Sequence, residues 1–166
     1  MEKKRRASSR NRSEGHKWER LIVQMLCNSG VYPHAVTCRS ANRSRDAQGI
    51  DICNKDESIH GRMQDDIQVK TTVDTPAFAE LLATIRDSDP MGSRTPVVFW
   101  RKTGKSAQGK FMVKGQFAIT YIEDYLKLLK ARDQLLKVTQ MLKTGKPVCD
   151  VMALLDEFVI PCEQPS

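Results

Sequence analysis

The sequence predicts an α/β fold, in which a mixed β-sheet is flanked by helices and followed by a C-terminal helical extension. Three observations carry that expectation. Helical spacing of apolar residues appears near the N-terminus and again around residue 80. Between and after these helices lie short alternating or β-branched runs of strand length. From about residue 119 the apolar residues recur every seven positions.

Taken in order, residues 1–13 are basic and rich in Ser and Arg, which predicts a disordered arm. The stretch "GHKWERLIVQMLCNSG" places Trp18, Leu21, Ile22, Met25 and Leu26 on one helical face, with Gly30 as the stop. "HAVTCRS" reads as a strand, "ANRSRDAQG" as a polar loop and "IDIC" as a second strand. After an acidic, glycine-containing connection, "DIQVKTT" makes a third strand in which Ile67 and Val69 alternate with Gln68 and Lys70. "DTPAFAELLATIRDSDP" is a helix with Asp74 or Thr75 as cap, Pro76 in its first turn and a stripe of Phe78, Leu81, Leu82 and Ile85. "TPVVFWRK" and "GKFMVK" then form two strands joined by the basic turn "TGKSAQG". That turn holds Gly-Lys-Ser, but Phe99 stands where a phosphate-binding loop needs Gly, so no nucleotide cofactor is expected.

The final third differs in kind. Tyr121, Leu128, Leu135 and Leu142 recur at seven-residue intervals, with Ile122, Leu129 and Leu136 beside them. A long amphipathic helix followed by a shorter one, "VCDVMALLDEFV", is expected, either packed as a hairpin or serving to pair two copies. The chain thus divides into an arm (1–13), a core (14–117) and an extension (118–166).

With 166 residues the chain is long enough to bury one substantial core. It has no apolar run of the roughly 20 residues a membrane span needs, and its start lacks the apolar stretch of a signal peptide, so a cytoplasmic protein is expected. The cysteines at 27, 38, 53, 149 and 162 form no Cys-x-x-Cys pair and the three histidines show no metal spacing, which argues against a zinc site or a disulfide framework. The net charge of +7 is concentrated: residues 1–45 carry eleven Lys and Arg against three Glu. Such a cluster attracts a polyanion, and nucleic acid is the usual one. Arg39, Arg43 and Arg45 are expected to extend it into the folded region, with Lys17 and Arg20 beside them.

The stretch "GIDICNKDESIHGRMQDDIQVK" concentrates the chemistry. Gln68 and Lys70 point to one face of their strand, with Cα atoms roughly 7 Å apart. If Ile50, Ile52, Ile67 and Val69 face the core, Asp51 shares the polar side with them. Glu19, on the edge of the first helix's apolar face, is costly there unless something balances it. Two carboxylates and an amide are hard oxygen ligands suited to Mg²⁺, with Mn²⁺ as a substitute. A neighbouring lysine can orient a nucleophilic water and stabilise developing phosphate charge. Each residue alone has an ordinary structural explanation; the order of helix Glu, strand Asp and strand Gln-x-Lys is what points to a site.

That ordered set, carried by "GHKWERLIVQML", "VTCRSANRSRDAQGIDI" and "IQVKTT", resembles the PD-(D/E)xK nuclease superfamily, and within it the archaeal-type Holliday junction resolvases and their phage relatives. The resemblance covers about residues 15–115. It implies a restriction-endonuclease-like fold, metal-dependent cleavage of branched DNA, a homodimer, and Glu19, Asp51 and Gln68 as metal ligands with Lys70 assisting the attacking water. It also implies a serine in the loop before the Asp strand, for which Ser40 and Ser44 are candidates, and leaves Asp46 as an additional or substitute acid. Ile50 stands in place of the superfamily's Pro, and Gln68 in place of its usual acid. The same Gln-x-Lys occurs in the endonuclease subunit of heteromeric transposases. Two other functions therefore compete: a DNA-binding protein of the same fold that has lost the chemistry, and a nuclease subunit of a recombination or transposition complex.

Overall fold

The computed structural model describes the backbone of residues 2–89, 91–147, 149 and 152, and the side chains among these from residue 12 onward. The chain separates into two units, Met1–Tyr121 and Ile122–Ser166.

The first unit begins with α1 (Glu2–Asn28), which starts well inside the stretch expected to be a disordered arm. Lys, Arg and Ala are good helix formers and nothing between residues 2 and 13 breaks the helix, so the backbone continues upstream from the amphipathic part. Gly30, at φ 75°, ends it as expected, and its N–H donates to the Cys27 carbonyl. Then follow β1 (Ala35–Thr37), the short helices α2 (Cys38–Ala41) and α3 (Arg43–Ala47), β2 (Ile52–Asn54), α4 (Glu57–His60) and β3 (Asp65–Thr72). After α5 (Phe78–Asp87) come β4 (Thr95–Lys105) and β5 (Phe111–Ile119).

The five strands form one mixed sheet in chain order. Its pairings are antiparallel except for β3 with β4, which run parallel because α5 carries the chain back over the sheet between them. Ile67 and Val69 share one face with Val97 and Phe99, and Trp18 and Ile22 of α1 close over it with Ala35, Ile52 and Met63. On the other face Leu82 and Ile85 of α5 pack on Val98, with Phe78, Leu81, Ile119 and Tyr121 around them. Trp100 extends this face, edge-on to Phe78 and stacked on Phe117.

Several local expectations are corrected. Residues 38–40 leave the strand for α2, and the loop at 41–49 contains α3, which the Asn42 side chain caps by accepting from Arg45 N–H. Neither Asp74 nor Thr75 caps α5: its N-cap is Ala77, without a side-chain hydrogen bond. Ile50 does not join Ile52, Ile67 and Val69; it packs with Cys38 and Cys53 in a separate small cluster, because β2 begins only at Ile52. Leu21 and Met25 of the predicted α1 stripe are exposed. The β4–β5 hairpin runs further into the expected turn, to Lys105 paired with Phe111, so only residues 106–110 form the loop.

The second unit is described through α6 (Ile122–Lys143), the expected long helix. It is held by local ion pairs such as Lys137–Asp133 and exposes Leu128, Leu135, Leu136 and Leu142. The predicted shorter helix at 148–159 lies outside the described residues apart from positions 149 and 152. Among the described residues no helix is long and apolar enough to cross a membrane.

Candidate active site

β2 and β3 are paired only at Ile52 and Ile67, and Asp51 stands where they part. Its backbone is held from both sides: the N–H donates to the Ile67 carbonyl at 2.8 Å, and the carbonyl accepts from Cys38 N–H at 2.8 Å. Its carboxylate then takes the place of a strand carbonyl, with Oδ2 accepting from Val69 N–H at 2.7 Å. The side chain is thereby fixed between the strands, beside the face that carries Gln68 and Lys70.

Burial raises the Asp51 carboxyl to about 6; the Val69 hydrogen bond and the Lys70 charge oppose the rise, while Glu19 and Asp46 add to it. These contributions locate the groups. Glu19, Asp46 and Lys70 are close enough to Asp51 for their charges to be felt in its titration.

Gln68 lies on β3 with only 6% of its surface exposed, and its Oε1 is buried without a hydrogen-bond partner among the described residues. Such an orphaned acceptor is costly unless a cation or donor meets it. Gly49, at φ 82°, backs the amide: a Cβ there would stand 3.0 Å from Gln68 Nε2. Lys70 is half-buried and has no ion pair or hydrogen bond among the described residues.

Glu19 projects from α1 with 12% of its side chain exposed. Its Oε2 lies 3.5 Å from His16 Nδ1, and its Oε1 3.7 Å from Arg39 Nη2. Arg39, half-exposed, also bonds the His16 ring at 2.7 Å and reaches Asp46 at 4.0 Å. Glu19, His16 and Arg39 line, with Arg20, Thr37 and Ser40, a cleft of about 430 Å³. Its lining sets Arg20 and Arg39 around a single acid, Glu19.

The candidates therefore divide. Glu19, Asp46 and Lys70 lie near Asp51, and Gln68 precedes the Val69 N–H that holds it; of these residues Glu19 lines the cleft, together with Ser40 and Arg39. Ser44 lines a different cavity. Arg45 is corrected: expected to touch phosphates, it is buried, with Nη1 on Asp66 at 2.7 Å and Nη2 on Glu57 at 3.3 Å. A guanidinium committed to two carboxylates inside the protein is not available to DNA. Arg43 and Arg20 are exposed; Lys17 is exposed and paired with Glu14 at 2.8 Å.

His16 was absent from the expected site, although it sits one helical turn before Glu19 and shares its face. Among the described residues no three His, Cys, Asp or Glu side chains gather to hold a metal ion. The expected ligand set has only two acids, and its third member is an amide. The oxygen types present, an unpartnered Gln68 Oε1 and the Asp51 and Glu19 carboxylates, fit a small hard cation. Comparison of the chain with protein-family models, with curated proteins and with solved structures finds no match.

Proposed function

We propose that this chain is a divalent-metal-dependent DNA endonuclease of the restriction-endonuclease-like type, with branched DNA as its favoured substrate. One observation carries the reading: Asp51, half-buried, is held by Val69 N–H and electrostatically linked to Glu19, Asp46 and Lys70, while Gln68, the residue before Val69, keeps a buried amide oxygen without a partner among the described residues.

Glu19, Asp51 and Gln68 would hold Mg²⁺, or Mn²⁺ in its place, with Asp46 as a further acid. When bound, the cation acts as a Lewis acid on the phosphodiester and lowers the pKa of water. The chain's own residues do the rest. Val69 N–H keeps the Asp51 carboxylate in place without rearrangement. Lys70, free of ion pairs among the described residues, orients the attacking water and balances charge developing on the phosphate. Arg39 sits over Glu19 and shifts to a phosphate once the carboxylate has another partner. Arg20 and Arg43 add exposed, sequence-independent phosphate contacts. A pair of chains joined through α6 would let two strands be cut together.

The second reading, a DNA-binding protein without the chemistry, is favoured by Gln68 itself, which brings no charge to the ligand set. Incubating a labelled four-way junction and a matched linear duplex with Mg²⁺, Mn²⁺ or EDTA separates the two. Metal-dependent junction cleavage, lost in Asp51→Ala and Lys70→Ala, is the expected result. Cleavage of linear duplex alone would remove the branched-DNA preference. Binding without cleavage under any metal would sink the nuclease, and cleavage only with an added protein would identify a subunit of a larger complex.

A further inference from the structure

A second cavity lies beside α3. It encloses about 220 Å³, and its wall carries the guanidiniums of Arg45, Arg62 and Arg94 with the side chains of Ser44 and Gln48. No carboxylate is among its lining residues. The balancing acids stand behind the arginines. Asp66, almost wholly buried, accepts from Arg45 Nη1 at 2.7 Å and from Arg94 Nε at 2.9 Å. Asp89 holds Arg94 Nη2 at 3.2 Å, and Glu57 holds Arg45 and, at 3.8 Å, Arg62. Each inner guanidinium is thus fixed by its rear edge.

The remaining donors distinguish this cavity from an ordinary buried ion-pair network. Arg45, 6% exposed, has both Nη atoms engaged and its Nε closed off from solvent, so it contributes charge rather than a free donor. The Ser44 hydroxyl and the Gln48 amide have no hydrogen-bond partner among the described residues. Arg62 is largely exposed and holds only the long contact to Glu57. Asn42 and Ser88 complete the wall but are engaged with Arg45 N–H and the Ile85 carbonyl. The cavity therefore sets the Ser44 hydroxyl, the Gln48 amide and the Arg62 guanidinium beside two fixed arginines, with no carboxylate among its lining residues, groups that can gather around an oxyanion.

We propose that this cavity binds a phosphate group, either the terminal phosphate of a nucleic-acid strand or free phosphate. The position follows from α3 and its caps, which bring Asn42, Ser44, Arg45 and Gln48 to the cavity wall. The site is independent of whether the cleft cuts DNA.

The test uses the full chain in EDTA, so that no turnover intervenes. Thermal unfolding is followed against orthophosphate, and anisotropy compares an oligonucleotide bearing a 5′-phosphate with its 5′-hydroxyl twin. The Ser44→Ala/Arg62→Ala double variant removes two exposed donors without touching the Asp66 network, and Arg39→Ala in the cleft is the control. Orthophosphate should raise the unfolding temperature of the native chain and of the control, and not of the double variant. About tenfold tighter binding of the phosphorylated strand, lost in the double variant, identifies a strand terminus as the ligand. A thermal response without that preference identifies free phosphate. No response in the native chain, or one that survives in the double variant, overturns the proposal.

Discussion

Asp51→Asn should make the protein more stable at pH 8 while abolishing its cleavage of DNA. Asparagine is isosteric and keeps an oxygen to accept from Val69 N–H, so the strand junction stays intact. What it removes is a charge that the fold resists. The Asp51 carboxyl rises from 3.8 to about 6, mainly through burial, which corresponds to roughly 3 kcal/mol against the ionised form. Partial access to solvent at the cleft reduces the measurable gain to about 1–2 kcal/mol.

The sign follows from proton uptake. Between pH 4 and 6 the folded chain holds a proton at Asp51 that the unfolded chain has lost. The stability linked to that proton is therefore fully present below pH 4 and gone above pH 6. Urea unfolding of the native chain and Asp51→Asn in EDTA should give similar stabilities near pH 4. The gap should open as pH rises through 6. Mg²⁺ should narrow it at pH 8 by stabilising the native chain alone. An Asn variant equal to or less stable than the native chain at pH 8, or a pH-independent gap, would refute the reasoning.

Gly49→Ala places a Cβ at φ 82° and 3.0 Å from Gln68 Nε2, so it should cost about 1–2 kcal/mol in backbone strain and displace the amide. Chemical denaturation reads the first effect and a raised Mg²⁺ requirement for cleavage the second. Arg45→Ala leaves Asp66 buried with Arg94 as its remaining partner and should cost about 3–5 kcal/mol by the same denaturation measurement. Arg39→Ala should leave stability nearly unchanged, weaken binding to junction and duplex DNA alike, and lower the salt slope of log K by about 1. That slope is measured by anisotropy across a salt series.

The local alphabet of this fold was legible before any coordinates. Trp18 and Ile22 at helical spacing, Ile67 and Val69 in alternation, and Leu82 and Ile85 on one helical stripe all face the two cores as their periodicities require. Periodicity reports which side of an element is apolar, and burial follows. Asp51, Gln68 and Lys70 stood out for a related reason: a polar residue between apolar neighbours has no structural need to be there. Whether Arg43 and Arg45 served the same purpose was not legible. They are two residues apart in one basic loop, yet Arg43 is exposed and Arg45 is buried on Asp66. The partner that turns one of them inward lies 21 residues further on, on β3. The same holds for Ile50, which alternation alone places with Ile52 but which the turn through α3 and Gly49 delivers to the Cys38 and Cys53 cluster. Sequence by itself determined what each element must hide and which residues could do chemistry. Only the tertiary structure decided which charges meet. Ion pairs and shared cavities depend on distances between segments far apart in the chain, and no local period records those distances.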